Sequence, residues 1–73
     1  MLAAQGKIEE AIEQFTAALR LNPADAELHY HLGLALARQG KRPEAAAQFG
    51  EALRLNPGYG PAREQLEALP AKR

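Results

Sequence analysis

Three features of this chain predict an all-α fold in which short antiparallel helix-turn-helix units stack one after another. Shifting the sequence by 34 residues lays Leu2 to Pro23 on Leu36 to Pro57 with 15 of the 22 pairs identical. Self-similarity at such a period marks stacked supersecondary units rather than one globular core. Residue usage points the same way: sixteen alanines and eleven leucines are joined by Glu, Gln and Arg, valine is absent, and the β-branched set is Ile8, Ile12 and Thr16. These are helix formers, and strands have little to build from. Finally, Asn22-Pro23 and Asn56-Pro57 recur one period apart, and each stops a helix because proline disfavours a helical residue before it.

Taken in order, Met1 to Gln5 reads as the last turn of a helix whose earlier part is absent, with Gly6 as a left-handed C-terminal cap. Ile8, Ala11, Ile12, Phe15, Ala18 and Leu19 then follow the three-and-four spacing of an amphipathic helix that ends at Leu21. Asp25 is placed to cap the next helix, and Glu27 to complement its dipole. That helix carries Leu28, Leu32, Ala35 and Leu36 on one face. Gly33 in its interior costs about 1 kcal/mol relative to alanine, so a close helix approach is expected there. Gln39-Gly40 closes it. Arg42-Pro43 opens a third helix, with proline in the first turn where its missing N–H does no harm. Its buried stripe is Ala45, Ala46, Phe49, Ala52 and Leu53, and close packing is expected at Gly50 as well. After a looser junction at Gly58, Gly60 and Pro61, a short last helix turns Ala62, Leu66 and Leu69 inward and Arg63, Glu64, Gln65 and Glu67 to water. The expected helices are 7–21, 25–39, 42–55 and 60–69. They form one domain: a partial repeat (1–23), a complete repeat (24–57), a capping helix (58–69) and a tail (70–73).

Composition narrows the function. Seventy-three residues make at most one small domain, and a chain this short buries a modest share of its surface. With no cysteine, neither disulfides nor thiolate metal sites can reinforce it. Nine basic residues balance nine acidic ones, which disfavours a nucleic-acid or anionic-membrane partner. The longest apolar run, Leu32 to Ala37, is far short of the ~20 residues that span a bilayer, and Met1 to Gln5 is too short for a signal peptide.

The sequence offers little for catalysis: no Ser, no Cys, and single Thr and Asp residues. His29 and His31 lie about 200° apart around a helix and cannot share a metal. They read as a packing residue and a groove or surface residue. Glu9-Glu10 and the later glutamates read as a solvated helix face. Gly58 and Gly60 follow no strand and form no phosphate loop. The chain is expected to be no enzyme and to need no cofactor or metal.

With these residues in place, the chain resembles the tetratricopeptide repeat family. Leu32-Gly33, Ala45, Phe49, Ala52 and Pro57 match that family's pattern, as do Ala11, Phe15, Ala18 and Pro23 in the partial copy, while His29 and Leu36 stand where aromatics are usual. The resemblance implies a short right-handed α-solenoid, first helices lining a concave groove and second helices forming the back, that binds a peptide or partner subunit and does no chemistry. On that geometry Glu27, Tyr30, His31, Leu34 and Arg38 face the groove, with Arg63, Glu64 and Gln65 at its rim. Tyr30 and Leu34 put apolar bulk on the side away from Leu28, Leu32 and Leu36, so something should cover them. Family members that hold acidic chaperone tails place Lys and Asn where Tyr30 and Leu34 stand here, which argues against that ligand. Arg38 and Arg63 are the remaining candidates for an anion contact. The competing reading is an architectural or self-assembling fragment with no ligand.

Two further expectations follow. The polar last helix suits the end of an array, so the chain reads as the C-terminal end of a longer repeat protein, and its Ala, Leu and Arg usage points to a GC-rich bacterial genome. Expressed alone, it would be soluble and cytoplasmic. Fewer than three repeats, together with an opening helix short of its neighbour, predict a homodimer through Leu2, Ile8, Ile12 and Phe15.

Overall fold

The computed structural model describes residues 2–69, with side chains from residue 6 onward. The tail at 70–73 and the side chain of Leu2 lie outside the described residues. Four α-helices follow one another: α1 (Leu2–Leu21), α2 (Ala26–Arg38), α3 (Arg42–Leu55) and α4 (Gly60–Ala68). Each packs antiparallel on its sequence neighbour, and α2 on α3 is the most extensive pairing. The result is a slab of 35 × 35 × 15 Å, about two helix layers deep.

Three of the four helices have the expected bounds to within a residue at either end. The exception is α1, which begins at Leu2 and runs through Gly6. The expected cap at Gly6 is therefore incorrect. Its counterpart behaves as a cap should: Gly40 has φ +81°, its N–H donates to the Ala37 carbonyl at 3.0 Å, and the Lys41 N–H donates to the Leu36 carbonyl at 3.0 Å. This pair of bonds is the Schellman arrangement. The same Gln-Gly-Lys triplet is thus helical in one copy and a left-handed stop in the other. The difference lies two residues downstream of the lysine. Pro43 has no N–H to bond the Gln39 carbonyl and its ring would strike it, so a helix cannot run through. Glu9, at the same register, has an N–H and no such ring.

The Asn-Pro junctions close as predicted, and in both the helical ladder runs one bond past the last helical residue: Asn22 N–H donates to the Ala18 carbonyl at 2.9 Å and Asn56 N–H to the Ala52 carbonyl at 2.8 Å. Asp25 caps α2, its Oδ1 accepting from the N–H groups of Glu27 (3.0 Å) and Leu28 (3.2 Å). At the matching position before α4, Tyr59 makes no side-chain cap. One further contact repeats with a changed residue. His29 Nε2 donates to the Pro23 carbonyl at 2.9 Å, and one period later Arg63 Nη2 donates to the Pro57 carbonyl at 3.2 Å. His29 also meets the Gln48 side-chain amide through Nδ1 at 2.7 Å, which ties α2 to α3.

The core is centred on α3. Ala45, Phe49, Ala52 and Ala62 are fully buried, and Leu32 and Ala35 nearly so. Burying Phe49 alone is worth roughly 1.5–3 kcal/mol. Gly33 has the expected use, since a Cβ there would lie 2.6 Å from Phe49 Cε1, so the ring fits because the glycine has no side chain. Gly50 does not: it is exposed and a Cβ there would meet nothing within 4 Å, so the close packing expected there is absent. Its neighbourhood is solvated, and Arg54 pairs with Glu51 along the helix surface. The hydrogen bond from that guanidinium holds the Glu51 carboxyl below its usual range.

Candidate functional site

Between α1 and α2 lies an open cavity of about 250 Å³. Helix α1 contributes Lys7, Ile8, Ala11 and Phe15 to its walls, and α2 contributes His31, Leu34, Ala35 and Arg38. The register explains who meets whom. Ile8, Ala11 and Phe15 recur at three and four residues along one stripe of α1, and His31, Leu34, Ala35 and Arg38 do so along α2. The two stripes face the same opening. Phe15 and His31 stack across it, with ring centroids 5.8 Å apart and planes 20° from parallel. Lys7 and Arg38 put two cations on a lining whose other residues, His31 apart, are apolar.

The five residues expected to face the groove divide between two neighbourhoods. His31, Leu34 and Arg38 line the cavity with α1. Tyr30 lies on the other side of His31, its ring 6.0 Å from that of Phe49 and 5.4 Å, edge-on, from that of Tyr59. The cover that Tyr30 requires is therefore supplied in part by the chain itself, whereas Leu34 opens onto the cavity. Glu27 is exposed, its carboxylate 3.8 Å from His31 Nε2. Tyr59 completes this aromatic group. Its phenol is pushed above its ordinary value by burial first and then by the negative charge of Glu27. Of the rim residues, Arg63 is engaged with the Pro57 carbonyl, Glu64 is exposed and Gln65 half-buried.

The residues expected at a self-association surface also separate. Ile8 and Phe15 are half-buried in the cavity wall. Ile12 faces away from it, among Glu13, Thr16, Ala17 and Arg20 on one side and Leu36, Gln39 and Lys41 on the other. Sequence reasoning placed neither Lys7 nor Ala11 in a site with α2, and did not connect Tyr59 to Tyr30. The signal for the first was available: Lys7, Ala11 and Phe15 sit one period before Lys41, Ala45 and Phe49.

Comparison with known families decides the identity of the architecture. A family model described as TPR repeat matches residues 1–40, more than half of the chain. The chain belongs to the tetratricopeptide repeat family. A second model, described as Tetratricopeptide repeat, matches residues 26–59, which is α2, α3 and the junction that follows. Among curated proteins none matches the sequence. Tetratricopeptide repeats are in general non-catalytic protein-protein interaction modules, and this chain has their fold. Among the described residues, no three His, Cys, Asp or Glu side chains are grouped to hold a metal, and no helix is long and apolar enough to cross a membrane.

Proposed function

We propose that this tetratricopeptide chain is a scaffold that holds a peptide or partner subunit against the exposed side of α2, through Glu27, Tyr30, His31, Leu34 and Arg38. The observation that carries the reading is the open cavity where Leu34 and His31 meet Ile8, Ala11 and Phe15. It combines an apolar floor that would accept a side chain with two cations, Lys7 and Arg38, that would meet a carboxylate beside it. A peptide-library screen against the chain tests this. Captured peptides are expected to lose about tenfold in affinity on Leu34→Ala, equivalent to about 1.4 kcal/mol, and to weaken on Tyr30→Ala. Binding that neither substitution weakens would refute the assignment.

A second reading, an architectural or self-assembling fragment, draws on the α1 surface: Leu21 is 89 % exposed and Phe15 only half-buried. Two chains meeting there would cover these side chains on both at once.

A further inference from the structure

The junction between α3 and α4 folds back onto the start of α2 and brings two tyrosines together there. The Tyr30 ring lies 6.0 Å from that of the buried Phe49, and Tyr59, at the N-cap of α4, meets Tyr30 edge-on at 5.4 Å with the planes 88° apart. In such a pair the edge of one ring meets a face of the other. Whichever ring supplies the edge, Tyr59 keeps at least one face that Tyr30 does not cover. Both residues are half-buried, so part of the pair reaches the surface.

The charge beside the pair is negative. Burial first, then Glu27, and after it Tyr30 and Asp25, push the Tyr59 phenol above its ordinary value, so both carboxylates are felt at this ring. Asp25 is already engaged: its Oδ1 accepts from the N–H groups of Glu27 and Leu28, and its Oδ2 from the Asn22 amide at 3.3 Å. It also meets the positive end of α2, which leaves Glu27 with no capping duty. The Glu27 side chain is 71 % exposed, and among the described residues its ionic neighbour is His31, 3.8 Å away and charged only when protonated. Arg63, one turn into α4, reaches the Pro57 carbonyl at 3.2 Å.

We infer that Glu27, Tyr30 and Tyr59 form a subsite for an arginine side chain of the bound partner segment, its guanidinium stacked on the open Tyr59 face and its N–H fork directed to the Glu27 carboxylate. The inference rests on the scaffold reading above and names the chemistry recognised at the Glu27 end of α2. Arginine suits the subsite better than lysine, because a planar guanidinium can stack on a ring and still present two parallel donors to a carboxylate, whereas an ammonium is a compact, strongly hydrated point charge. An acidic side chain would meet the Glu27 charge and be repelled.

The test selects peptides from a random display library on the full chain at about pH 8, where an ordinary imidazole is neutral and His31 does not compete for Glu27. Peptides selected on the parent chain are expected to be enriched in arginine at one position, and the enrichment to vanish on Glu27→Lys. For one selected peptide, replacing that arginine by citrulline, its neutral isostere, is expected to weaken binding about tenfold on the parent chain and less than twofold on Glu27→Gln, a double-mutant cycle that isolates the contact. Tyr59→Leu is expected to weaken the arginine peptide several-fold and to leave the citrulline peptide unchanged, with circular dichroism checking that each variant is folded. No arginine enrichment, or an equal citrulline effect on the parent and Glu27→Gln chains, would overturn the subsite. If selected peptides lack arginine yet lose affinity on Leu34→Ala, this inference falls and the scaffold reading stands. If no peptide is selected, both fall.

Discussion

Replacing Gly33 by alanine tests the central packing contact, and Gly50→Ala in the neighbouring helix provides the comparison. Both glycines are in helix interiors, where alanine gains roughly 0.5–1 kcal/mol of backbone preference. They differ in what a methyl would meet. At Gly50 there is nothing within 4 Å, so the gain stands alone and the melting temperature should rise. At Gly33 the methyl would sit 2.6, 2.8 and 3.0 Å from three atoms of the Phe49 ring. That ring is fully buried and has no solvent to swing into. Overpacking of this kind costs about 1–3 kcal/mol, so the net for Gly33→Ala is a loss of about 1 kcal/mol. In a domain of this size that corresponds to a fall of roughly 4–8 °C. Thermal unfolding followed by far-UV circular dichroism reads both variants. A double-mutant cycle with Phe49→Leu isolates the contact, since the smaller side chain should make the alanine less costly. A rise in melting temperature for Gly33→Ala similar to that of Gly50→Ala, with no coupling to position 49, would refute the reasoning.

The two copies of Gln-Gly-Lys should answer alanine in opposite directions: Gly40→Ala loses about 1 kcal/mol because its φ of +81° is left-handed, whereas Gly6→Ala, in open helix, is neutral or stabilising; thermal melts of both decide it. Sedimentation over a range of concentrations is expected to show dimers that Ile8→Glu disrupts, and a chain that stays monomeric at high micromolar concentration would exclude this association. Tyr59 supplies a pH dependence. Its phenol titrates above its ordinary value of 10.0 in the fold, so the stability it contributes is complete below pH 10 and is lost as pH rises through the higher folded value. Urea midpoints measured from pH 9 to 11.5 should therefore fall less steeply for Tyr59→Phe than for the parent chain.

Helix order, both Asn-Pro stops, the Asp25 cap and the use of Gly33 were legible because each depends on a local rule or on the period. Gly6 was misread for an instructive reason. The triplet it shares with Gly40 carries no instruction of its own, and the stop is written by Pro43, whose counterpart is Glu9. Gly50 was misread because periodicity places a residue on a helix without saying how near the next helix comes. The site was legible as a set of faces. That α2 should present Leu34 and His31 outward follows from its spacing, but that Tyr30 would be met by Tyr59 depends on how the junction at Gly58 folds back. The pairing of Phe15 with His31 needed the angle between α1 and α2, which no single helix encodes.

The contact that His29 and Arg63 make with their respective proline carbonyls has an evolutionary consequence. Each Asn-Pro junction leaves an acceptor at a fixed address, and what the address demands is a donor of sufficient reach rather than a particular residue. In α4 Arg63 makes no other side-chain hydrogen bond among the described residues, and it meets this acceptor from an exposed position. In α2 the same position must also meet Gln48, which limits the choice to a side chain with two opposed polar atoms. Drift between copies of a duplicated unit is thus expected to be fastest where a helix has a neighbour on one side only. The ends of such an array should lose their family signature before its middle does.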